Sequence, residues 1–315
     1  MRGPNWIGDH VLALPFYEAL RERYPIAELT LALPQAMKGV ESFLPFKKFS
    51  WISDEERTFP KGALALGKRW RGEGFAFAFS IPSSWSSALA LWSARIPHRI
   101  GFASGGSSLF LTHSIAWRGR DAGKHKSALY LDLLDSPPKS NWVAPAQVRN
   151  ENRTIILAPG ASLPLREWPY FVELALRLRA VYPQFELMLV GGPGETKFQS
   201  VFYRALGGKI TDYIGKTDLG QLLTLLKSAR LVVANDSGVA HLAATVALVP
   251  TVVLFGPGDP GYVLPLGERA VAVRVEDLPC SPCESSRCRA PFGYQRCLKD
   301  LKLDKVWVAI ERVLR

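Results

Sequence analysis

The stretch RLVVANDSGVAHLAATVALVPTVVLFG, residues 230–256, decides the fold. Leu231 to Ala234 form a short apolar run rich in valine, which predicts a buried strand. Asn235-Asp236-Ser237-Gly238 then supplies turn and cap chemistry, and the small apolar residues from Val239 onward predict a helix after Ser237. Pro250 ends that pattern, and PTVVLFG reads as a second strand. The apolar run from Val239 to Gly256 is broken by His241 and Pro250, so it reads as helix plus strand and not as a membrane span. Strand, helix and strand in this order make a βαβ unit, whose strands are parallel because a crossover joins them.

The same rhythm extends outward. In this half stand TIILAPG, a helix after Trp168 and Pro169, FELMLVGG, a helix from Glu195, ITDYIG and the helical DLGQLLTLLKSA. Farther back, ELTLALP, KFSWIS, FAFAFSIP and RIGF are strand candidates, with helical patterns such as SSALALWSA between them. The polar stretch SPPKSNWVAPAQVRNENR reads as a linker, Ser136 to Arg153. The expectation is an α/β chain of two Rossmann-like domains, residues 1–145 and 146–315, with parallel sheets facing across a ligand-binding cleft. One strand is short of residues. It should precede the loop Pro4-Asn5-Trp6-Ile7-Gly8-Asp9, yet only Met1, Arg2 and Gly3 stand before it. Either the first central strand is missing or the true start lies upstream, and the unpaired edges left by the first option favour the second.

At 315 residues, 48% of them hydrophobic, the chain can fill two cores. Lys and Arg number 39 against 28 Asp and Glu, a formal charge of +11 that favours anionic partners. The basic residues do not gather in one arm, and neither zinc-finger spacing nor an RNA-recognition signature occurs, which argues against nucleic acid. MRGPNWIGDH has no charged-then-apolar signal pattern, so the expected compartment is the cytoplasm, where the four cysteines stay reduced.

Four loops carry candidate chemistry. Gly8 lets backbone approach a ligand, and Asp9 beside it is either a helix cap or a carboxylate facing the cleft. In NDSGVAH, Ser237, Gly238 and the helix-start amides suit phosphate oxygens, with His241 one turn on; Asp236 as an N-cap and His241 as a packed side chain are the competing readings. In PGASLPLREWP, residues 159–169, Arg166 offers fixed donors to a diphosphate and Ser162 a hydroxyl, unless Arg166 is an ordinary exposed loop residue. In GGPGE, residues 191–195, Glu195 either accepts from ribose hydroxyls or complements its own helix dipole. Neither the P-loop pattern nor G-x-G-x-x-G after a first strand occurs, which weakens ATPase and dehydrogenase readings.

PNWIGD, PGA…EWP, GGPGE, NDSGVAHLAA and FGPGDP together resemble the ADP-heptose:lipopolysaccharide heptosyltransferases, glycosyltransferase family 9, from Pro4 to the final helix. The cysteine segment and the PNWIGD start are most similar to the heptosyltransferase II branch. The resemblance implies a GT-B fold and metal-independent transfer of heptose, with inversion, from ADP-heptose to a lipid-linked, phosphorylated lipopolysaccharide core sugar. It assigns residues 1–145 to the acceptor and 146–315 to the nucleotide sugar. Asp9 matches the family's proposed catalytic base. Ser237, Gly238 and His241 match residues around the donor phosphates and sugar, Asp236 the acid of that loop, and Glu195 a ribose contact. Arg166 stands where the family has a lysine facing the diphosphate, which keeps the charge and alters its geometry. Ser107 stands where the family has an arginine, so acceptor recognition is expected to differ. The alternatives are a member with the same donor and another acceptor, such as a heptose or a protein, and a non-catalytic nucleotide-sugar-binding protein.

No Asp-x-Asp pair occurs, which agrees with catalysis that needs no cofactor. Cys280, Cys283, Cys288 and Cys297 follow C-x2-C-x4-C-x8-C. Structural zinc is one expectation for them; reduced thiols and redox-sensitive pairs are the others. Lys124, His125 and Lys126 are among the basic residues that can meet acceptor phosphates, most such residues being solvated charges. Trp70 and Trp85 are read as exposed aromatics able to rest on the inner membrane face, and Trp92 as core.

Overall fold

The computed structural model describes residues 1–134, 145 and 152–315. Two compact units divide the chain, Met1–Trp142 and Val143–Arg315. The expected linker, Ser136 to Arg153, lies outside the described residues except for Pro145, Asn152 and Arg153.

In the first unit the strands are β1 (Thr30–Pro34), β2 (Lys48–Ile52), β3 (Phe77–Ser80), β4 (His98–Ala103) and β5 (His113–Ala116), and every pairing among them is parallel. The helices are α1 (Ile7–Leu12), α2 (Leu14–Arg23), α3 (Lys61–Arg71), α4 (Trp85–Ser93) and α5 (Lys126–Leu131). β1 pairs with β2, and β3, β4 and β5 form a second ladder. Residues 1–3 join the two. Arg2 bridges Ala32 of β1 and Ser80 of β3, both in parallel sense. Its amide donates to Phe79 O at 2.7 Å and its carbonyl accepts from Ile81 N at 3.1 Å, while Gly3 N donates to Ala32 O at 2.9 Å. This corrects the expectation that no residues remained for a central strand. A stub this short still satisfies ladder groups on both neighbours, so the edges that a missing strand would expose are paired.

The core of this unit joins Ala63, Leu66 and Trp70 of α3 to Leu89, Ala90 and Leu91 of α4. Trp70 is therefore buried, against expectation, and its indole N–H donates to Ser50 Oγ at 2.9 Å. Trp92 is also placed differently from the reading as core: it is 49% exposed. Residues 87–91 of α4 are all buried, which leaves one outward stripe, and Trp85 and Trp92, seven residues apart, share it.

In the second unit the strands are β6 (Thr154–Ala158), β7 (Glu186–Leu189), β8 (Thr211–Asp212), β9 (Leu231–Asn235), β10 (Thr251–Leu254) and β11 (Ala270–Val273). The helices are α6 (Phe171–Val181), α7 (Lys197–Leu206), α8 (Leu219–Lys227), α9 (Gly238–His241), α10 (Pro260–Val263), α11 (Arg296–Lys299) and α12 (Leu303–Leu314). The strands form one parallel sheet in the order β11-β10-β9-β6-β7-β8. β6, β9 and β10 are buried at every residue, as their runs of Ile, Leu and Val require of central strands covered on both faces. ITDYIG yields only the two residues of β8 at the sheet edge, where short strands limit stray pairing. From β6 the chain winds one way to β8, then returns to β9 on the other side and continues to β11. The β6/β9 boundary is thus the point where strand order reverses, the place where such sheets hold ligands at their carboxyl ends.

The helix predicted after Ser237 is not uniform. α9 passes into a π-turn, Leu242–Val246, with Ala247 N donating to Leu242 O at 2.8 Å. Such wide turns inside helices recur at functional sites. No helix among the described residues is long and apolar enough to cross a membrane.

Candidate functional site

In the first unit the site begins at α1. Trp6 occupies the cap position, so Asp9, third in the helix, does not cap it. The Asp9 carboxylate lies in the first turn, where the helix dipole favours negative charge, and accepts from Lys126 Nζ at 2.6 Å. The two side chains are 17% exposed for Lys126 and 23% for Asp9, so the pair is accessible yet sheltered. Beneath this helix Arg2 is buried and donates to Gly3 O and Asn5 Oδ1, tying the central stub to the loop that carries Asp9. Ser107, where the family has arginine, is fully buried; its Oγ accepts from Ser104 N and donates within the same turn. Its hydroxyl serves the fold.

His10, next to Asp9, is wholly buried with Nδ1 2.9 Å from Tyr17 Oη. Burial first, then the charge of Arg2, lower its pKa to about 3. An unfolded chain protonates this ring near pH 6.5, so between those values the unfolded state binds more protons. Stability is therefore expected to fall as pH drops from about 6.5 towards 3, with a slope near 1.4 kcal/mol per pH unit from this residue. Urea unfolding of the wild type and His10→Asn between pH 7 and 4 checks this: the variant should lose that slope, and equal slopes would refute it.

The second unit gathers the other candidates at the carboxyl ends of β6, β7, β9 and β10. Asn235, at the end of β9, is fully buried and crosses the switch point. Its Nδ2 donates to Pro159 O at 2.7 Å, and its Oδ1 accepts from Trp168 N at 3.0 Å. This one amide shapes the whole 159–168 loop. The Trp168 indole, itself buried, donates to Leu301 O at 2.8 Å and anchors the loop to the chain beyond α11.

The loop so held delivers Arg166 to Asp236, with Nη1 2.9 Å from Oδ2. Asp236 is 4% exposed, and Ser237, not Asp236, occupies the cap position of α9. The N-cap reading of Asp236 and the exposed-loop reading of Arg166 are both displaced by this ion pair. A second carboxylate, Glu284, lies 3.9 Å from Arg166 Nη2. Arg166 Nε and Ser237 Oγ are buried with no hydrogen-bond partner among the described residues. Buried donors left over in this way suit an anionic ligand that brings its own oxygens.

Glu195 follows β7 and accepts from Gly192 N at 3.0 Å, as a residue serving its own short turn does. Burial raises its pKa, opposed by that amide. A Cβ at Gly160 would stand 2.0 Å from Glu195 Cδ, and one at Gly258 2.4 Å from Asp236 Oδ2. The loops after β6 and β10 therefore close on these carboxylates only because both positions are glycine. His241 is buried and Ser162 exposed. Two contacts join the candidates, Arg166 with Asp236 and Glu195 with the 160 loop, and Ser237, Gly238, His241 and Ser162 lie at the same sheet edge.

The sequence model of glycosyltransferase family 9 (heptosyltransferase) matches residues 63–292. The chain belongs to this family. This glycosyltransferase is 26% identical to lipooligosaccharide heptosyltransferase 2 of Haemophilus ducreyi, over 99% of the chain and 98% of that protein. The structure of E. coli ADP-heptose LPS heptosyltransferase II matches it with a TM-score of 0.80 at 23% identity, covering 99% of this chain and 97% of that one. E. coli heptosyltransferase WaaC with ADP matches with a TM-score of 0.71 at 17% identity, covering 99% and 100%. The expected GT-B fold is the fold observed.

Three residues that matter in this family 9 glycosyltransferase do not stand out in its sequence. Asn235 reads there as part of a turn, Lys126 is one basic residue among many, and Glu284 sits inside the cysteine segment, 118 positions from Arg166. Only Asn235 has a local signal, as a polar residue ending an apolar strand. The four cysteines are free thiols. Among the described residues no group of three or more His, Cys, Asp or Glu side chains is placed to hold a metal ion.

Proposed function

We propose that this enzyme transfers heptose from ADP-heptose to a lipopolysaccharide core sugar, with inversion and without a metal cofactor. The observation that carries the reading is the pair of half-buried Arg166 with buried Asp236, beside the spare Ser237 hydroxyl at the reversal point of the second sheet. A diphosphate there meets a guanidinium and a helix start, which stabilise the charge that grows as ADP departs. Arg166 is balanced by Asp236 and Glu284, so an incoming phosphate competes for its donors with groups already in place. In the first unit Asp9 acts on the acceptor: it takes the hydroxyl proton as that oxygen bonds to the anomeric carbon and the bond to the diphosphate breaks. Lys126 holds the carboxylate in one orientation beforehand.

The acceptor we assign is lipid-linked and phosphorylated, reached at the cytoplasmic face of the inner membrane. An exposed aromatic ridge supports this: Trp85 packs edge-on against Phe59 and Phe110, and Trp92 against Phe110, at 5.8–6.3 Å between ring centres. Phe59, Trp85, Trp92 and Leu109 are 56%, 41%, 49% and 79% exposed, a suitable footing at a headgroup boundary.

Incubation with ADP-heptose and defined lipid-linked acceptors, read by ADP release and by mass spectrometry of the product linkage, tests the proposal. A heptosylated core sugar of inverted anomeric configuration is expected. Transfer only to a free heptose or a protein would reassign the acceptor, and tight donor binding without ADP release would make the chain a binding protein.

A further inference from the structure

The loop that delivers Arg166 is held by a second side-chain amide besides that of Asn235. Gln295 is buried, and its Nε2 donates to three carbonyls of the loop, Pro164 O at 3.2 Å, Leu165 O at 3.1 Å and Glu167 O at 3.0 Å. We propose that Gln295 is a positioning residue for the donor diphosphate, a clamp that sets the aim of Arg166 and, through it, the affinity for a nucleoside diphosphate. The inference rests on the proposed function, which places the diphosphate at Arg166.

Two N–H groups serve three acceptors, so the donors are shared and the amide nitrogen is wholly engaged by the loop. The carbonyls that it holds stand on both sides of Arg166. Leu165 O belongs to the peptide plane just before that residue and Glu167 O to the next plane but one after it, while the turn between closes through Arg166 N to Leu163 O at 2.9 Å and Glu167 N to Pro164 O at 3.1 Å. A long side chain on a free loop samples many directions, and fixing its backbone removes most of them. Here the fixed backbone leaves Arg166 facing Asp236 and Glu284.

The backbone of Gln295 carries the argument further. At φ 59° and ψ 32° it lies in the left-handed region, which glycine and asparagine occupy far more readily than glutamine. Strain of this kind persists only where the surroundings over-determine it, and it gathers at functional sites. The Gln295 carbonyl accepts from Leu298 N and Lys299 N, at 3.1 and 3.0 Å, as α11 begins. Leu298 is fully buried against the chain just past β10, where a Cβ on Gly256 would stand 2.6 Å from Leu298 Cγ. The clamp is thus rooted in the sheet whose loops carry Arg166 and Asp236. A glycine at position 295 would suit this backbone; what it would lack is the amide.

Gln295→Gly separates the two, because it removes the clamp and relieves the backbone. The variant should keep the wild-type far-ultraviolet circular dichroism, and its ADP affinity, measured by calorimetry, should weaken about ten-fold. Amide hydrogen exchange of the peptide 163–169, which needs no nucleotide, should quicken about ten-fold. In an Arg166→Ala background the same substitution should change ADP affinity by less than about two-fold, because Gln295 acts through Arg166, whereas a residue that only supports the fold would weaken ADP binding equally in both backgrounds. Should the glycine variant not fold, Gln295→Asn, which accepts the same backbone and carries its amide one carbon short of the loop, is read in the same way. Unchanged exchange, unchanged ADP affinity or an equal loss in the two backgrounds would overturn the proposal. A wild-type chain that binds no ADP would sink the proposed function and this role with it, whereas a chain that binds ADP and ignores the substitution would sink this role alone.

Discussion

Asp9→Asn is expected to lower turnover by about three powers of ten while leaving ADP affinity unchanged. The carboxylate is the only change, and the amide that replaces it keeps the size and the place in the first turn of α1 but cannot take a proton. The residues assigned to the diphosphate, Arg166, Asp236 and Ser237, all belong to the second unit, so the binding of ADP has no reason to respond. The measurement is single-turnover heptose transfer beside ADP calorimetry on the same preparation. Turnover within ten-fold of wild type would remove Asp9 from proton transfer, and a joint loss of turnover and ADP binding would point to a folding defect. Lys126 makes the comparison sharper: with its partner neutralised, Lys126 loses an ion pair at 2.6 Å, and Lys126→Met in the wild-type background reports the share of the effect that belongs to orientation alone.

Asn235→Ala is expected to destabilise the second unit by about 3 kcal/mol or more, because it strands the Pro159 carbonyl and the Trp168 amide at a buried position. Each of those groups costs about 1–3 kcal/mol when left without a partner away from water. Urea unfolding followed by tryptophan fluorescence measures the loss. A value below about 1 kcal/mol would mean that water enters and replaces the amide. Asn235→Asp separates the two contacts, since a carboxylate keeps the acceptor for Trp168 N and loses the donor to Pro159 O. Both variants should also weaken ADP binding, because the loop that they release is the one that brings Arg166 to Asp236.

Much of the second unit is legible along the chain. β6, β9 and β10 are central strands buried on both faces, so their runs of Ile, Leu and Val stand out, and the loops that follow them carry the Gly, Ser and Asp of a ligand edge. β5 and β11 are not legible in this way, because only one residue of β11 and none of β5 is fully buried, and a strand that buries little has little pattern to show. The first strand escapes sequence reading for a related reason. Its hydrogen bonds are made by backbone atoms of Met1, Arg2 and Gly3, and three residues carry no periodicity.

By itself the sequence determined the α/β class, the parallel arrangement and the family, because hydrophobic period and glycine placement are local quantities written along the chain. It also marked Asp9, Arg166, Glu195 and Asp236 as residues of interest. What each of them touches was decided only by tertiary structure: Lys126 on Asp9, Asp236 on Arg166 and Glu284 behind Arg166. These contacts join positions up to 118 residues apart, and a charge on a loop has no preferred partner until the sheet order brings two strand ends side by side. Charge and reactivity belong to residues, whereas pairing belongs to the fold.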